Sequence, residues 1–254
     1  MAYPNQSTPL ISIITVCFNS AKTIRQTIES VLNQTYTNIE YILVDGKSTD
    51  NTVAIIEEYA PQFTAKGIAY HWISEPDAGI YDAINKGIKL ANGEWINIQG
   101  SDDWLELDSC EQIYDYSLAM SNVQVFYGVT KYHKKGKFVQ ILQNPHEELP
   151  NVNVNHQSIF AQKKLHLDFG LYDTKYKIAS DYHFFLKLYL ERISFYFIPL
   201  INSNYSLGGA SDNYILPIEI LDIKYEHNLI TLKEHKSLIR KYKLKQLIKR
   251  YISL

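Results

Sequence analysis

Two adjacent carboxylates are the first candidates for chemistry: Asp102 and Asp103 in Gly100-Ser101-Asp102-Asp103. Like charges this close repel unless a cation or hydrogen bonds offset them. Mg²⁺ and Mn²⁺ suit such a pair, because they take one or two protein carboxylates and fill their shells with phosphate oxygens and water. An acidic turn capping the next helix is the structural alternative. Asp45, in Asp45-Gly46-Lys47-Ser48-Thr49-Asp50, could accept hydrogen bonds from a nucleotide base or a ribose hydroxyl, whereas Asp50 reads as a helix cap. Glu75-Pro76-Asp77-Ala78-Gly79-Ile80-Tyr81-Asp82 turns into a helix whose first N–H groups could meet an anion. Asp181 begins a helix with Phe184, Phe185, Leu188 and Tyr189 on it, and an acid is electrostatically favoured there whatever else it does. His156, in Asn155-His156-Gln157-Ser158, is a satisfied loop histidine, a base or a ligand. Trp104, beside the acidic pair, could stack on a sugar.

The elements that must position these groups alternate regularly over the first hundred residues. Short apolar, β-branched runs at 10–18, 41–44, 69–73 and 95–98 read as buried strands. Between them, Ile24, Ile28, Val31 and Leu32, then Val53, Ile56 and Tyr59, then Ile80, Ile84, Ile88 and Leu90 follow helical spacing. Strand–helix alternation with short connections predicts an α/β fold, a mainly parallel central sheet flanked by helices. In such sheets ligands bind beyond the carboxyl ends of the strands. Asn19, Asp45, Glu75 to Asp77, and Asp102 with Asp103 all fall at those ends, so they predict one site. The second half is less regular, with a helix at 111–120, strands at 123–129, 138–142 and 193–199, a helix at 181–190, and a helical run over the last thirty residues.

Composition narrows the function classes. The chain has 254 residues, 46% hydrophobic and 20% charged, with a net charge of −2, which excludes wholesale disorder. No apolar run approaches the ~18–20 residues of a membrane span, and the first residues lack a secretion signal, which predicts a cytoplasmic protein. Two cysteines, Cys17 and Cys110, cannot build a disulfide framework or a four-ligand zinc site. The charge is divided: from Lys224 onward seven Lys and two Arg face two acids, while the preceding body carries an acid excess. An acidic body does not suit nucleic-acid binding. There is no Gly-x-Gly-x-x-Gly and no Gly-Lys-Ser/Thr loop, which argues against dinucleotide dehydrogenases and ATPases.

Taken in order, Ser12-Ile13-Ile14-Thr15-Val16-Cys17-Phe18-Asn19, Val44-Asp45-Gly46-Lys47-Ser48-Thr49-Asp50, Ala83-Ile84-Asn85-Lys86-Gly87 and Gly93-Glu94-Trp95-Ile96 through Ser101-Asp102-Asp103 resemble the family 2 glycosyltransferases. His156-Gln157-Ser158 and Ala179-Ser180-Asp181-Tyr182 extend the resemblance more loosely. The form with Glu75 to Asp82 is similar to bacterial enzymes of capsule, exopolysaccharide or O-antigen synthesis. The resemblance implies an inverting enzyme with a single GT-A (Rossmann-like) domain. Residues 1–105 would be the nucleotide-sugar half, 106–215 the acceptor half, and 216–254 a basic amphipathic tail. It implies a UDP-sugar donor held by Asn19, Asp45, Asp77, Asn85, Asp102 and Asp103, with Asp45 reading the base. Mn²⁺ or Mg²⁺ would sit at Asp102 and Asp103. Asp181 would be the general base, and His156 and Trp104 would lie on the acceptor side.

Two positions depart from the family pattern: Gly100 stands where the family often has a first Asp, and Ser180 where it often has Glu. The alternative of a non-catalytic, sugar-nucleotide-binding or scaffold subunit is consistent with them, while the retained Asp181 is still the base that the resemblance implies. The Gln-x-x-Arg-Trp signature of processive synthases is absent, so transfer of one sugar to a glycan or undecaprenyl-type lipid-linked acceptor is implied. A nucleotidyltransferase would need a Gly-rich basic N-terminal loop, which Asn19-Ser20-Ala21-Lys22 is not. In the tail, Leu244, Leu247, Ile248 and Tyr251 share a helical face flanked by basic residues. That pattern suits a helix lying on the anionic inner face of the membrane. Packing on the body, or on a second subunit as a homodimer, is the alternative.

Overall fold

The computed structural model describes residues 11–209 and 214–252, with side chains described as far as 247. Among these residues one sheet of nine strands runs in the order β3-β2-β1-β4-β8-β6-β9-β5, with β7 paired to β6. β1 (Ile11–Cys17), β2 (Ile39–Asp45), β3 (Ala69–Ser74) and β4 (Trp95–Gly100) are parallel. β1 and β2 are buried at every position, which is why their sequences are apolar runs without alternation. Helices α1 (Ile24–Leu32) and α2 (Thr52–Ala65) cover one face, where Ile28 and Ile56 pack with Ile13 and Leu43. On the other face α3 (Ile80–Leu90) and α6 (Ser180–Leu190) pack Ile84, Ile88 and Phe185 against Ile14 and Val44. The expected α/β architecture is thus present.

Beyond β4 the sheet is mixed. β5 (Trp104–Leu105) and α4 (Ser109–Ala119) lead to the hairpin of β6 (Val125–Lys134) and β7 (Lys137–Leu142). Lys135 (φ 51°) and Gly136 (φ 73°) form its two-residue turn, where left-handed backbone matches the strand twist. β8 (Ile159–Gln162) runs antiparallel to β4, α5 (Lys163–Asp168) follows, and β9 (Phe195–Leu207) runs parallel to β6. The halves at 1–105 and 106–215 therefore share one sheet through β4 and β8.

The C-terminal run is two helices, not one: α7 (Leu216–Glu226) and α8 (Leu232–Ile252). Asn228, left-handed at φ 57°, ends the first. A reciprocal cap starts the second: Thr231 N donates to Glu234 Oε2 at 2.8 Å, and Glu234 N to Thr231 Oγ1 at 3.3 Å. α8 turns His235 and Tyr242 toward the body, through His235 Nε2 to Asp222 Oδ1 (2.6 Å) and Tyr242 OH to the Tyr214 carbonyl (3.1 Å). Leu244 and Leu247 stay exposed, while the side chains of Ile248 and Tyr251 lie outside the described residues.

Candidate active site

The carboxyl ends of β1 and β4, the start of α3 and the start of α6 surround one cleft of about 920 Å³. β4 does most of the positioning. Asn97 and Gln99 point the same way from alternate positions and are fully buried. Asn97 Nδ2 donates to the carbonyls of Gln157 (3.0 Å) and Ile159 (2.8 Å), and Gln99 Nε2 to that of Gln157 (2.8 Å). These bonds hold the short 3₁₀ turn His156–Ser158 against the sheet. The turn has no hydrophobic period because its place is set by polar side chains 60 residues away.

The acidic pair divides its work. Asp103 is 2% exposed and accepts from Ser206 N at Oδ1 and from Gln157 Nε2 at Oδ2, both at 2.8 Å. Burial and the neighbouring Asp102 push its carboxyl up, against these two donors. Asp103 thus ties β9 and the 156–158 turn together at the cleft floor. Asp102 is half-buried; its backbone carbonyl accepts from Ser206 Oγ at 2.6 Å, but its carboxylate accepts no donor from another described residue, and burial raises it as well. It is the open member of the pair. A side chain in place of Gly100 would crowd the pair: a Cβ there would lie 2.7 Å from the buried Asp103 Oδ2 and 3.1 Å from Asp102 Oδ1. No group of three or more His, Cys, Asp or Glu suited to a metal occurs among the described residues. The open Asp102 nonetheless fits Mg²⁺ or Mn²⁺, which need only one protein carboxylate when phosphate and water complete the shell.

On the opposite side Asp181, 6% exposed at the head of α6, collects three partners. The Tyr81 hydroxyl lies 2.8 Å from Oδ1, and Asn153 Nδ2 (3.1 Å) and His156 Nδ1 (3.0 Å) meet Oδ2. Burial pushes the Asp181 carboxyl up, but His156, by hydrogen bond and charge, and then Tyr81 outweigh it and hold the group below the usual carboxylate range. Burial pushes His156 down, but Asp181 and then the field of Asp103 outweigh it and raise the imidazole.

The other candidates are placed differently. Asn19, left-handed at φ 51°, borders the cleft and holds the loop after β2 by accepting from Thr49 N at its Oδ1 (2.9 Å). Asp45 does not face the cleft. It is fully buried and accepts from Ser48 Oγ (2.5 Å), Ser48 N (2.9 Å) and Ser74 Oγ (2.6 Å), so it braces the loop after β2. Asp77 is the carboxylate that reaches the cleft there, and a Cβ on Gly46 would collide with its Oδ2. The turn before α3 is largely closed on itself, with Gly79 N donating to Asp77 and Ala78 N to Asp82. Asn85 stays in the core and spends its amide on the backbone of Tyr172, donating to its carbonyl (2.8 Å) and accepting from its N–H (3.0 Å). Trp104 packs against His133, with centroids 4.7 Å apart and planes tilted by 46°, and lies outside the cleft lining. The sequence pattern did not single out Phe18, Tyr81, Asn153 or Gln157. Phe18 sits at the cleft mouth, 62% exposed at the end of an apolar strand, and that position in a strand–loop junction is the signal for it.

Residues 12–193 match the model of glycosyl transferase family 2. The chain belongs to that family. This family 2 glycosyltransferase is 28% identical over 215 residues to a PGL/p-HBAD biosynthesis glycosyltransferase of Mycobacterium tuberculosis, covering 82% of this chain and 81% of the relative. It is 30% identical over 243 residues to the chondroitin synthase of Escherichia coli, covering 92% of this chain but 34% of that longer protein. In fold it is similar to S. aureus TarS 1-349 in complex with UDP-GlcNAc, at a TM-score of 0.70 and 17% identity, over 92% of this chain and 71% of that one. It is also similar to the mannosyltransferase PcManGT from Pyrobaculum calidifontis in complex with GDP-Man and Mn²⁺, at 0.67 and 19%, over 87% and 64%. These likenesses make the architecture a GT-A fold. Within it Gly100 is accounted for by space, since the acidic pair fills the volume a side chain would need.

Proposed function

We propose that this glycosyltransferase moves one sugar from a UDP-sugar to a glycan or an undecaprenyl-type lipid-linked acceptor in bacterial surface polysaccharide or glycolipid synthesis, with inversion at the anomeric carbon. The observation that carries the reading is a single cleft with an unpartnered carboxylate, Asp102, on one side and the buried, hydrogen-bonded Asp181 on another. Residues 1–105 supply the donor end. Phe18 offers an exposed ring to a base, Asp77 offers an acceptor for its N–H groups, and Asn19 and Asp45 hold the loops that carry them. Asp102 would hold Mn²⁺ or Mg²⁺, which when bound supplies charge neutralisation to the departing diphosphate. Residues 106–215 supply the acceptor end, where Asp181 and its partners take up the acceptor proton. TarS bound to UDP-GlcNAc and the mannosyltransferase bound to GDP-Man and Mn²⁺ support a nucleotide-sugar donor and a divalent ion.

The test is a panel of nucleotide sugars screened for thermal stabilisation in Mn²⁺. A donor at ~100 times its dissociation constant adds ~2.7 kcal/mol. The stabilising donor should then release UDP on turnover and give a product of opposite anomeric configuration. No stabilisation by any member, or a product of retained configuration, contradicts the reading.

The tail reading rests on α8, which leaves Leu244 and Leu247 exposed near Lys243 and Lys245 while its hydrogen bonds to the body use other residues. We place this face on the anionic inner surface of the membrane, where each basic residue is worth ~1 kcal/mol. No helix among the described residues is long and apolar enough to cross a membrane. The full chain should sediment with phosphatidylglycerol vesicles at low salt. Replacing Lys241, Lys243 and Lys245 by Gln should release it, and indifference to anionic vesicles contradicts the placement.

A further inference from the structure

We propose that the base of this site is divided between two residues: His156 Nε2 receives the acceptor's proton, and Asp181 acts through His156 as a positioning residue that fixes its tautomer and stabilises its charge. The proposal rests on the transfer reaction given above and assigns the atom that takes the proton. An attacking hydroxyl needs a free lone pair on the cleft side of the base. Asp181 has little to offer. It borders the cleft, but its side chain is only 9% exposed; its Oδ2 meets Asn153 and His156 within 3.1 Å, and its Oδ1 meets the Tyr81 hydroxyl, which also faces the Ile178 carbonyl. The same donors that satisfy the carboxylate weaken it as a base, because a proton must displace them.

His156 has the opposite arrangement. Its side chain is 23% exposed and borders the cleft. Nδ1 lies 3.0 Å from Asp181 Oδ2. An ionised carboxylate only accepts, so Nδ1 carries the hydrogen and the lone pair falls on Nε2. Nε2 has no hydrogen-bond partner among the described residues and is not one of the buried nitrogens left unsatisfied, so it is open to the cleft. Asn97 and Gln99 clamp the carbonyl of Gln157 and so fix the backbone that carries the ring, and the Nδ1 bond to Asp181 orients the ring itself.

The step balances. The acceptor oxygen bonds the anomeric carbon as its proton passes to Nε2. The bond from that carbon to the diphosphate oxygen breaks, and its electron pair leaves with UDP. The imidazolium then sits against the Asp181 carboxylate. The charged and titratable groups facing His156 are Asp181 from α6, Tyr81 from α3 through that carboxylate, and Asp103 from the loop after β4. The two carboxylates favour the protonated ring, and Tyr81 is a neutral donor to one of them. The ring must be neutral to act. The rate should therefore fall as pH drops through a value above the ordinary 6.5 of histidine, not through the carboxylate range.

The experiment measures UDP release from the stabilising UDP-sugar in Mn²⁺, with water as the acceptor, for the wild type and for His156→Ala, His156→Gln and Asp181→Asn. Both His156 variants should lose about 10²–10⁴-fold in kcat while keeping UDP affinity. Added imidazole should restore rate to His156→Ala and not to Asp181→Asn, a response that a structural role for His156 would not give. If His156→Ala no longer binds UDP, His156→Gln and the wild-type pH profile decide. His156 variants that keep turnover within about threefold, or a wild-type acid limb in the carboxylate range, would return the proton to Asp181 and overturn the divided base. A wild type that releases UDP from no donor would overturn the transfer reaction itself.

Discussion

Carboxylates stand at both ends of the parallel strands, and Glu40 at the amino ends, like Asp45 and Asp103 at the carboxyl ends, is supplied with donors in a way that Asp102 is not. At the amino ends Glu40, 1% exposed, accepts from Ser12 Oγ (2.5 Å), Gly93 N (3.0 Å) and Asn92 Nδ2 (3.2 Å), and also from Asn92 N. Side-chain and backbone donors surround it, and it closes the turn between α3 and β4. At the carboxyl ends Asp102 has no such donor, and Asp181 shares its oxygens with a titratable imidazole. Burying a carboxylate costs several kcal/mol unless donors repay it. The supply of donors therefore separates an acid that serves the fold from one left available to a ligand or a proton.

Substitutions can break this contrast. The largest effect is expected from Asp181→Asn, which keeps the size of the side chain but cannot stabilise a charged His156. Turnover should fall by about 10²–10⁴-fold with donor affinity nearly unchanged, and single-turnover kinetics separates the two. Glu40→Ala should do the reverse. It strands buried donors and should cost about 1–3 kcal/mol in urea unfolding, while activity per folded molecule stays at the wild-type level. A loss of turnover in Glu40→Ala beyond the unfolded fraction would blur the distinction. The smallest effect concerns acid. The Asp181 carboxyl is held below its ordinary 3.8, so its contribution is present above that value and lost as pH falls through the lowered one. The stability gap between wild type and Asp181→Asn should close in that window.

The first half of the fold was legible because each βα unit carries its own period. Ile24, Ile28, Val31 and Leu32 mark a helix, and the wholly buried β1 and β2 read as apolar runs. The second half hides its elements behind polar residues. Gln157, Gln162 and His166 are buried among short apolar stretches, so no period marks β8 and α5. β9 runs on past Pro199, which normally ends a strand. The register there passes from Tyr127–Phe197 to Val129–Ile201, so Pro199 falls in a bulge that asks no ladder donor of it.

The site divides along the same line. Asp102 and Asp181 could be found from their places at element ends. The inward turn of Asp45 and the core position of Asn85 could not, because each depends on a partner distant in sequence, Ser74 and Tyr172. His156 belongs with these: its neighbour Asp181 lies 25 residues on, and only the packing of α6 brings them together.

The central claim, that this cleft binds a nucleoside diphosphate through an ion held at Asp102, is tested most directly by calorimetry of UDP with and without Mn²⁺ on the wild type and on Asp102→Asn. UDP should bind the wild type at least about tenfold more tightly with the metal, a difference of ~1.4 kcal/mol, and Asp102→Asn should lose that gain while staying folded. UDP binding that ignores both the metal and the substitution would contradict the account.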